Sequence, residues 1–204
     1  NRDADFRVKG KPDAATLETL ESVFFTFKDP KFPNRGKTRS VLMPTTGRKL
    51  KCTIWLQPSP APVVYIVPGL GAHRLGDSSL GLAELVYQNG FSAVCISNPF
   101  NYEFMEHASS AAMPAYLPVD AQDVRVALTA IDRQLDSLHP GRLGKRALLG
   151  YSMGALESLF IAATESTNQA PMIKFDRYVA INSPVRLQYG MAKLDEFYRA
   201  PLNW

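Results

Sequence analysis

The sequence has 204 residues, of which 46% are hydrophobic and 21% are charged. These proportions are typical of one globular domain with a hydrophobic core, and they exclude disordered and fibrous classes. The 13 glycines and 15 prolines fall between apolar runs rather than in a repeat, so a collagen-like chain is excluded as well.

The net charge of +4 comes from the first quarter of the chain. Residues 1–51 hold 12 Lys and Arg against 6 Asp and Glu, whereas the remainder holds 11 against 13. We interpret the scattered cations of this segment as the solvated face of an edge hairpin, and we predict no nucleic-acid site. They are Arg35, Lys37, Arg39, Arg48, Lys49 and Lys51.

Neither a metal site nor a cofactor is expected. The two cysteines, Cys52 and Cys95, lie inside apolar strand-like runs, where a thiol behaves as a small hydrophobic side chain. No apolar run approaches the roughly 20 residues of a membrane-spanning helix, so we expect a soluble protein. The chain begins with Asn1 rather than Met, which suggests that a preceding piece was removed; if that piece was a leader, the protein is exported.

Residues 1–39 are predicted to precede the main domain as a polar tail, a short helix and a turn-rich linker. Asp13 is the candidate N-cap of that helix, since apolar residues recur at helical spacing after it. The main domain, residues 40–204, opens with a predicted β-hairpin. Its two strands, 40–45 and 49–57, are rich in residues that favour strands, and apolar residues alternate with polar ones in the second. This pattern is typical of an antiparallel pair with one face exposed.

From residue 62 onward, strand-like and helix-like patterns alternate. The run 62–67 is continuously apolar, which is typical of a strand that helices cover on both faces. The pattern continues with helices at 79–89, 120–138 (capped by Asp120) and 153–165, strands at 91–97, 145–150 and 177–182, a loop at 98–118, and a final helical or turn segment at 184–198. This order predicts an α/β fold, a mostly parallel sheet flanked by helices, with the antiparallel hairpin at one edge beside strand 62–67.

The strand-to-helix junction Gly150-Tyr151-Ser152-Met153-Gly154 carries the strongest chemical signal. In such a sheet, ligands bind at the carboxyl ends of the strands. A sharp turn there predicts an outlying backbone conformation that pushes the Ser152 hydroxyl out of the sheet edge. Gly150 and Gly154 fit this turn, because a Cβ at either position would collide with the neighbouring strand or helix. Ser152 is therefore a candidate nucleophile.

An oxyanion formed at the serine needs two hydrogen-bond donors. The helix that begins at Met153 directs its backbone N–H groups toward that oxygen. The loop after the first parallel strand, residues 67–73, is placed to supply the second donor. Leu70, which lies between Gly69 and Gly71, is the candidate residue.

These motifs resemble those of the α/β-hydrolase superfamily, of the lipase, esterase and thioesterase type, from about residue 40 to residue 184. The resemblance implies a serine hydrolase that cleaves a small-molecule ester or thioester through an acyl-enzyme. It implies that Ser152 is the nucleophile and that Met153 and Leu70 form the oxyanion hole. The residues that shape the nucleophile turn are Gly150, Tyr151 and Gly154.

The sequence departs from the family pattern in two places. Many members have His-Gly before the oxyanion residue, whereas this chain has Pro68-Gly69. The family's acid and histidine follow the serine, but only 52 residues follow Ser152 and none of them is a histidine. His139 leads into the serine's strand from the opposite end of the sheet, which leaves His73 and His107 as alternative bases. The remaining polar residues near strand or helix ends are Asp120, Asp123 and Asn182.

We therefore expect the C-terminal strands to be absent, the acid and base to lie in residues missing from this chain, and the 204-residue chain alone to be nearly inactive. Two alternatives stay open: a non-catalytic binding or structural protein with the same fold, and a short natural chain that pairs with a partner chain. An acyltransferase would use the same nucleophile.

The aromatic-rich loop 98–117 is expected either to cover the site as an apolar lid, suited to an acyl or aromatic ester, or only to pack on the domain.

Overall fold

The computed structural model describes residues 25–165 and 172–199, so the helix expected after Asp13 lies outside the described residues. The described residues form six strands and six helices. In chain order they are α1 (Phe32–Arg35), β1 (Lys37–Leu42), β2 (Lys49–Trp55), β3 (Ala61–Val67), α2 (Asp77–Gln88), β4 (Ser92–Cys95), α3 (Tyr102–His107), α4 (Leu117–Leu138), β5 (Leu143–Tyr151), α5 (Met153–Thr164), β6 (Arg177–Ile181) and α6 (Leu187–Arg199). The predicted order of strands and helices is thus confirmed, with the addition of α1 and α3.

The six strands form one sheet in the order β1-β2-β4-β3-β5-β6. Strands β4, β3, β5 and β6 are mutually parallel, while β2 pairs antiparallel with both β1 and β4. The mostly parallel sheet with a leading antiparallel hairpin is therefore confirmed. The prediction that strand 62–67 pairs beside the hairpin is wrong, because β4 lies between them and matches Ile54 with Val94. The chain leaves β3, passes through α2 and returns as β4, which leaves β3 at the centre with a parallel neighbour on each side.

Helices cover both faces of the sheet, and β3 explains why. Its side chains alternate between the two faces, and Tyr65 and Ile66, which point to opposite sides, are both fully buried. One face packs against α4 and α5, and the other against α1 and α2. The sequence also predicts one apolar stripe along α4, from Val124 to Leu138 at helical spacing. Its members Val124, Leu128, Ile131 and Leu135 are buried, whereas Leu138, at the end of the helix, is 52% exposed. The continuous apolar run thus indicates a strand with cover on both faces.

The loop between β4 and α4 differs from the prediction. It contains the one-and-a-half-turn helix α3, whose N-cap Asn101 accepts a hydrogen bond from the Glu103 backbone N–H at 3.0 Å. Helix α4 begins at Leu117 after Tyr116, so Asp120 lies in its first turn rather than at its cap. A carboxylate in the first turn interacts favourably with the helix dipole in either position, so the sequence pattern does not separate the two.

Strand β6 is the outer strand of the described sheet on the side away from the hairpin. It pairs with β5 alone, from Ala147 opposite Arg177 to Tyr151 opposite Ile181, and Val179 stays 43% exposed. No described helix combines the length and the apolar character that a membrane crossing requires.

Candidate active site

Ser152 occupies the turn between β5 and α5 in a strained conformation. Its backbone angles are φ 54° and ψ −119°, and among the described non-glycine residues only Asn182 shares a positive φ. The turn is held from both sides, since the Ser152 N–H donates to the Ile181 carbonyl at 2.8 Å and the Ser152 carbonyl accepts from Ala155 at 3.0 Å. A non-glycine residue at such angles costs about 1 to 3 kcal/mol, which the surrounding structure must offset. The predicted outlying conformation of Ser152 is confirmed.

The two glycines of the turn are required by the packing of α5 against β5 and β3. A Cβ on Gly150 would lie 2.1 Å from the Gly154 carbonyl oxygen. A Cβ on Gly154 would lie 2.1 Å from the Val67 carbonyl oxygen and 2.5 Å from that of Pro68. These contacts are with backbone atoms, which cannot move aside as a flexible side chain can. The first turn of α5 therefore sits directly on the end of β3, as the glycine spacing predicts.

Gly150→Ala should lower the free energy of unfolding by at least about 2 kcal/mol, because the added methyl group forces α5 away from β5. The measurement is urea denaturation of the two proteins. Gly190→Ala is the control, since a Cβ there meets no atom within 4 Å. It should not lower stability and should raise it slightly, because Gly190 lies inside α6 and alanine is the better helix former. Equal stability of the Gly150→Ala variant and the wild type would contradict the packing argument.

The loop after β3 runs beside Ser152. A Cβ on Gly69 would lie 3.1 Å from the Ser152 Cβ, and the loop closes through a hydrogen bond from the Ala72 N–H to the Gly69 carbonyl at 3.0 Å. Gly71 takes a positive φ of 67°, which glycine adopts without strain. Leu70 and Ser152 both line an open cavity of about 500 Å³, as do Tyr151 and two residues of α6. Of the residues that the sequence singled out, the structure thus brings Leu70, Tyr151 and Ser152 to one cavity, while Met153 does not line it.

Asn98, which the sequence analysis did not select, ties this loop to the rest of the molecule. It follows β4, is fully buried, and its side-chain amide donates to the Pro68 carbonyl at 2.9 Å. Its side-chain oxygen accepts from the Phe100 N–H at 3.0 Å and more weakly from the Gly71 N–H at 3.4 Å, and its backbone N–H donates to the Ala72 carbonyl at 3.0 Å. One buried residue therefore holds both ends of the segment that carries Leu70, through its side chain at Pro68 and its backbone N–H at Ala72.

The same amide also reaches α5, through the carboxyl group of Glu157. Asn98 Nδ2 lies 3.4 and 3.3 Å from the two carboxyl oxygens, and Glu157 is fully buried. Burial raises the pKa of Glu157 well above its ordinary value, the nearby charge of Asp120 raises it further, and the Asn98 hydrogen bond only partly opposes this. Burial also raises the pKa of Asp120, to about 6, together with the charge of Asp123. Buried carboxyl groups of α4 and α5 therefore lie close enough to raise one another's pKa.

Glu157→Gln should stabilise the protein at high pH and leave it unchanged at low pH. The Glu157 pKa is raised in the folded state, so the folded protein holds a proton that the unfolded chain has released, and wild-type stability falls as the pH rises through this window. A glutamine does not titrate, so the free energy of unfolding of the variant should exceed that of the wild type at about pH 8 and match it at about pH 4.

Urea denaturation at the two pH values measures this difference. The control is Glu106→Gln, which neutralises a half-exposed carboxylate that lies 4.0 Å from Arg48. It should produce no gain at either pH. A Glu157→Gln variant that is less stable at the higher pH would show that Glu157 is ionised in the folded protein.

In the described residues, no histidine lines the cavity at Ser152. His73 lies beside the Leu70 loop, but its Nε2 is 3.4 Å from a Glu103 carboxyl oxygen and its Nδ1 accepts from the Leu75 N–H at 3.2 Å. His107 ends α3, where its Nδ1 lies 2.8 Å from the Glu103 carbonyl oxygen. His139 is the C-cap of α4 and lies at the other end of the sheet, as predicted. The structure therefore pairs His73 and His107 with other groups.

The loop 98–117 approaches the site through a backbone carbonyl and a polar side chain rather than as an aromatic cover. The Phe100 carbonyl oxygen approaches Gly71, and Asn101 Nδ2 donates to the Gly71 carbonyl at 2.9 Å. Its side chains Tyr102, Met105 and Met113 instead line a separate open depression. The predicted apolar lid is therefore not formed over Ser152 in the described structure. The packing alternative holds for Phe104, which is fully buried, but not for Tyr102, Met113 and Tyr116, which are exposed.

Helix α6 contributes two residues to the site that the sequence analysis did not single out. Met191 and Asp195 of this helix line the cavity opposite Leu70. Asn182, which the sequence placed at the end of β6, is exposed and has a positive φ of 52°. Asp195 is thus the single acidic side chain lining this cavity among the described residues, and the described residues contain no cluster of three or more metal-binding side chains.

Known structures with a similar fold are found, although no relative is found by sequence. No protein-family model matches the sequence, and a search of curated proteins gives no match. The esterase Pf2001 of Pyrococcus furiosus, in one crystal form, is similar in structure over 85% of this chain and 60% of its own, with 17% identity and a TM-score of 0.60. In another crystal form of Pf2001 the similarity covers 80% of this chain and 58% of that protein, with 17% identity and a TM-score of 0.57. Brefeldin A esterase, described as a bacterial homologue of human hormone-sensitive lipase, matches over 75% of this chain and 42% of its own, with 14% identity and a TM-score of 0.50.

The chain has the α/β-hydrolase fold. It shares with these esterases a mostly parallel sheet flanked by helices, and it spans about three fifths of the length of Pf2001. At this level of identity the similarity extends to the fold alone, so the chemistry has to be argued from the residues around Ser152.

Proposed function

We propose that this chain carries the nucleophile and the oxyanion site of a serine hydrolase that cleaves a small-molecule ester or thioester. The observation that carries the proposal is the strained conformation of Ser152 at the β5 to α5 junction, which tight backbone packing at Gly150 and Gly154 maintains. Strain of this kind is retained where it serves a function, since a serine in an ordinary turn would be more stable. The esterase activity of the structural neighbours agrees with the proposal.

In the proposed reaction, the Ser152 hydroxyl adds to the carbonyl carbon while a base removes its proton. The backbone N–H groups of Met153 and Leu70 donate hydrogen bonds to the oxyanion that forms. The intermediate then collapses, the C–O or C–S bond breaks, and the leaving alcohol or thiol takes the proton. Water repeats the sequence at the acyl-enzyme and releases the acid. Two preorganised backbone donors are worth several kcal/mol of transition-state stabilisation in reactions of this type, on the order of 3 kcal/mol for a single donor.

The general base and the acid that orients it come, in this proposal, from residues other than the described ones or from a partner chain. Support comes from the cavity, where the described residues supply no histidine, and from the existing contacts of His73 and His107 with Glu103. Substrate access agrees with this arrangement, since the cavity at Ser152 is open rather than enclosed by the loop 98–117.

A fluorophosphonate probe should label the full-length gene product at Ser152, because such probes react with an activated serine hydroxyl. Labelling should disappear in Ser152→Ala. The matched control is Ser78→Ala, which removes a second hydroxyl from the lining of the same cavity and should leave labelling intact. Mass spectrometry of the labelled peptide identifies the residue. A full-length product that resists labelling under all conditions would favour the non-catalytic alternative instead.

The 204-residue chain alone should hydrolyse short-chain p-nitrophenyl esters very slowly, because a serine hydroxyl without a histidine is a weak nucleophile. An oxyanion site and substrate binding alone leave at most about 10³ to 10⁴-fold over the rate in water. Steady-state kinetics on this chain measure the residual rate. An ordinary enzymatic rate that is abolished by His73→Ala or His107→Ala would instead assign the base to one of those two residues.

A further inference from the structure

A second cavity lies at the opposite end of the sheet from Ser152. It has a volume of about 210 Å³ and opens where β1 begins, β2 ends and α4 passes into β5. Because β2 runs antiparallel to the central strands, its last residues lie at the amino ends of β3, β4 and β5. The proposed chemistry at Ser152 therefore does not involve this cavity.

The lining of this cavity is strongly basic. Its ionisable lining side chains are Arg35, Lys37, Arg39, Arg142, His139 and Tyr87, and no carboxylate is among the lining residues that the structure describes. Arg35 is neutralised by Asp29, whose carboxylate lies 2.6 Å away. Lys37, Arg39 and Arg142 have no carboxylate within 4.0 Å in the described part of the chain. Three cations thus share one small cavity without a counter-charge.

The protein's own dipoles do not balance this charge. His139 caps the C-terminus of α4 beside the cavity, and a helix C-terminus is equivalent to roughly half a negative charge. One of the carbonyl groups at this end, that of Leu135, already accepts a hydrogen bond from the His139 N–H at 2.8 Å, which reduces the negative charge available to the cavity. Against three unpaired cations, the helix leaves a net positive field in the cavity.

Two lining side chains are held in place by the fold. An Arg142 guanidinium nitrogen, Nη2, donates to the Gln57 carbonyl, while its buried Nε has no hydrogen-bond partner among the described residues. Trp55 is 2% exposed, donates from its indole N–H to the Phe32 carbonyl at 3.1 Å and stacks on the Phe32 ring. A guanidinium that is already oriented loses less conformational freedom when it binds an anion.

We propose that this cavity binds a small multivalent oxyanion, a phosphate or polycarboxylate group. Lys37 and Arg39 supply its charge from β1, where they are two residues apart and therefore face the same side of the strand. Arg142 supplies a fixed guanidinium from the turn before β5, and guanidinium groups bind phosphate and carboxylate oxygens through paired hydrogen bonds. The site is independent of Ser152 and of the proposed hydrolysis.

Isothermal titration of the full-length gene product with inorganic pyrophosphate and, separately, with citrate tests the proposal. The titrations are run in about 0.15 M KCl, where screening beyond about 8 Å suppresses nonspecific attraction. The Lys37→Gln/Arg39→Gln double variant should weaken binding by about tenfold or more, the effect of losing charge-assisted contacts. The matched control is Lys49→Gln/Lys51→Gln, which removes two positive charges from exposed positions of β2 that do not line the cavity, and it should leave the Kd nearly unchanged.

The relative affinities for the two probes identify the class of ligand. Tighter binding of pyrophosphate than of citrate assigns the site to phosphate-bearing ligands, and the reverse order assigns it to polycarboxylates. Absence of binding by both probes, or equal weakening in the two double variants, overturns the proposal. If circular dichroism shows that the Lys37→Gln/Arg39→Gln protein is not folded, the single variant Lys37→Gln is compared with the single control Lys51→Gln instead.

Discussion

The contact between the first turn of α5 and the end of β3 is the constraint on which the serine site depends. Gly154 lies so close to the Val67 and Pro68 carbonyls that no side chain fits between them. This contact fixes the start of α5, and therefore Met153, at the point where the loop carrying Leu70 leaves β3. The strain at Ser152 is a consequence of the same contact, because β5 must turn abruptly to enter a helix that is so close to its neighbour.

A second, polar connection complements this backbone packing. Asn98 links the loop after β3 to α5 through Pro68 and Glu157, so three consecutive strand ends share one buried hydrogen-bond network. A buried amide that is well supplied with partners specifies one geometry, whereas an apolar residue there would leave the Pro68 carbonyl without a donor. Glu157 has little compensation in this network, and a neutral carboxyl group at this position avoids the cost of burying an unpaired charge.

The sequence predicted those features that depend on local pattern. The glycine spacing predicted the Ser152 turn, and the periodicities predicted the hairpin, the central strand and the stripe of α4. It missed α3, because six residues are too few to show helical periodicity. It also missed the position of β4 and the link between Asn98 and Glu157, which are 59 residues apart. Strand order and contacts of this kind are set by packing between distant segments, and a single sequence does not show them.

Helix α4 spans the molecule and connects its two differently charged ends. Its N-terminal half carries the buried Asp120 and Asp123 on the side of the serine turn, and its C-terminus meets the cations of the second cavity. Both groups of charges have the sign that the nearest end of the helix dipole favours. Around Ser152 the described cavity contains the carboxylate of Asp195 and no cation, a lining that disfavours an anionic substrate there. The fold thus separates the proposed ester site from the proposed anion site, and the dipole of α4 partly offsets the fixed charges at each end.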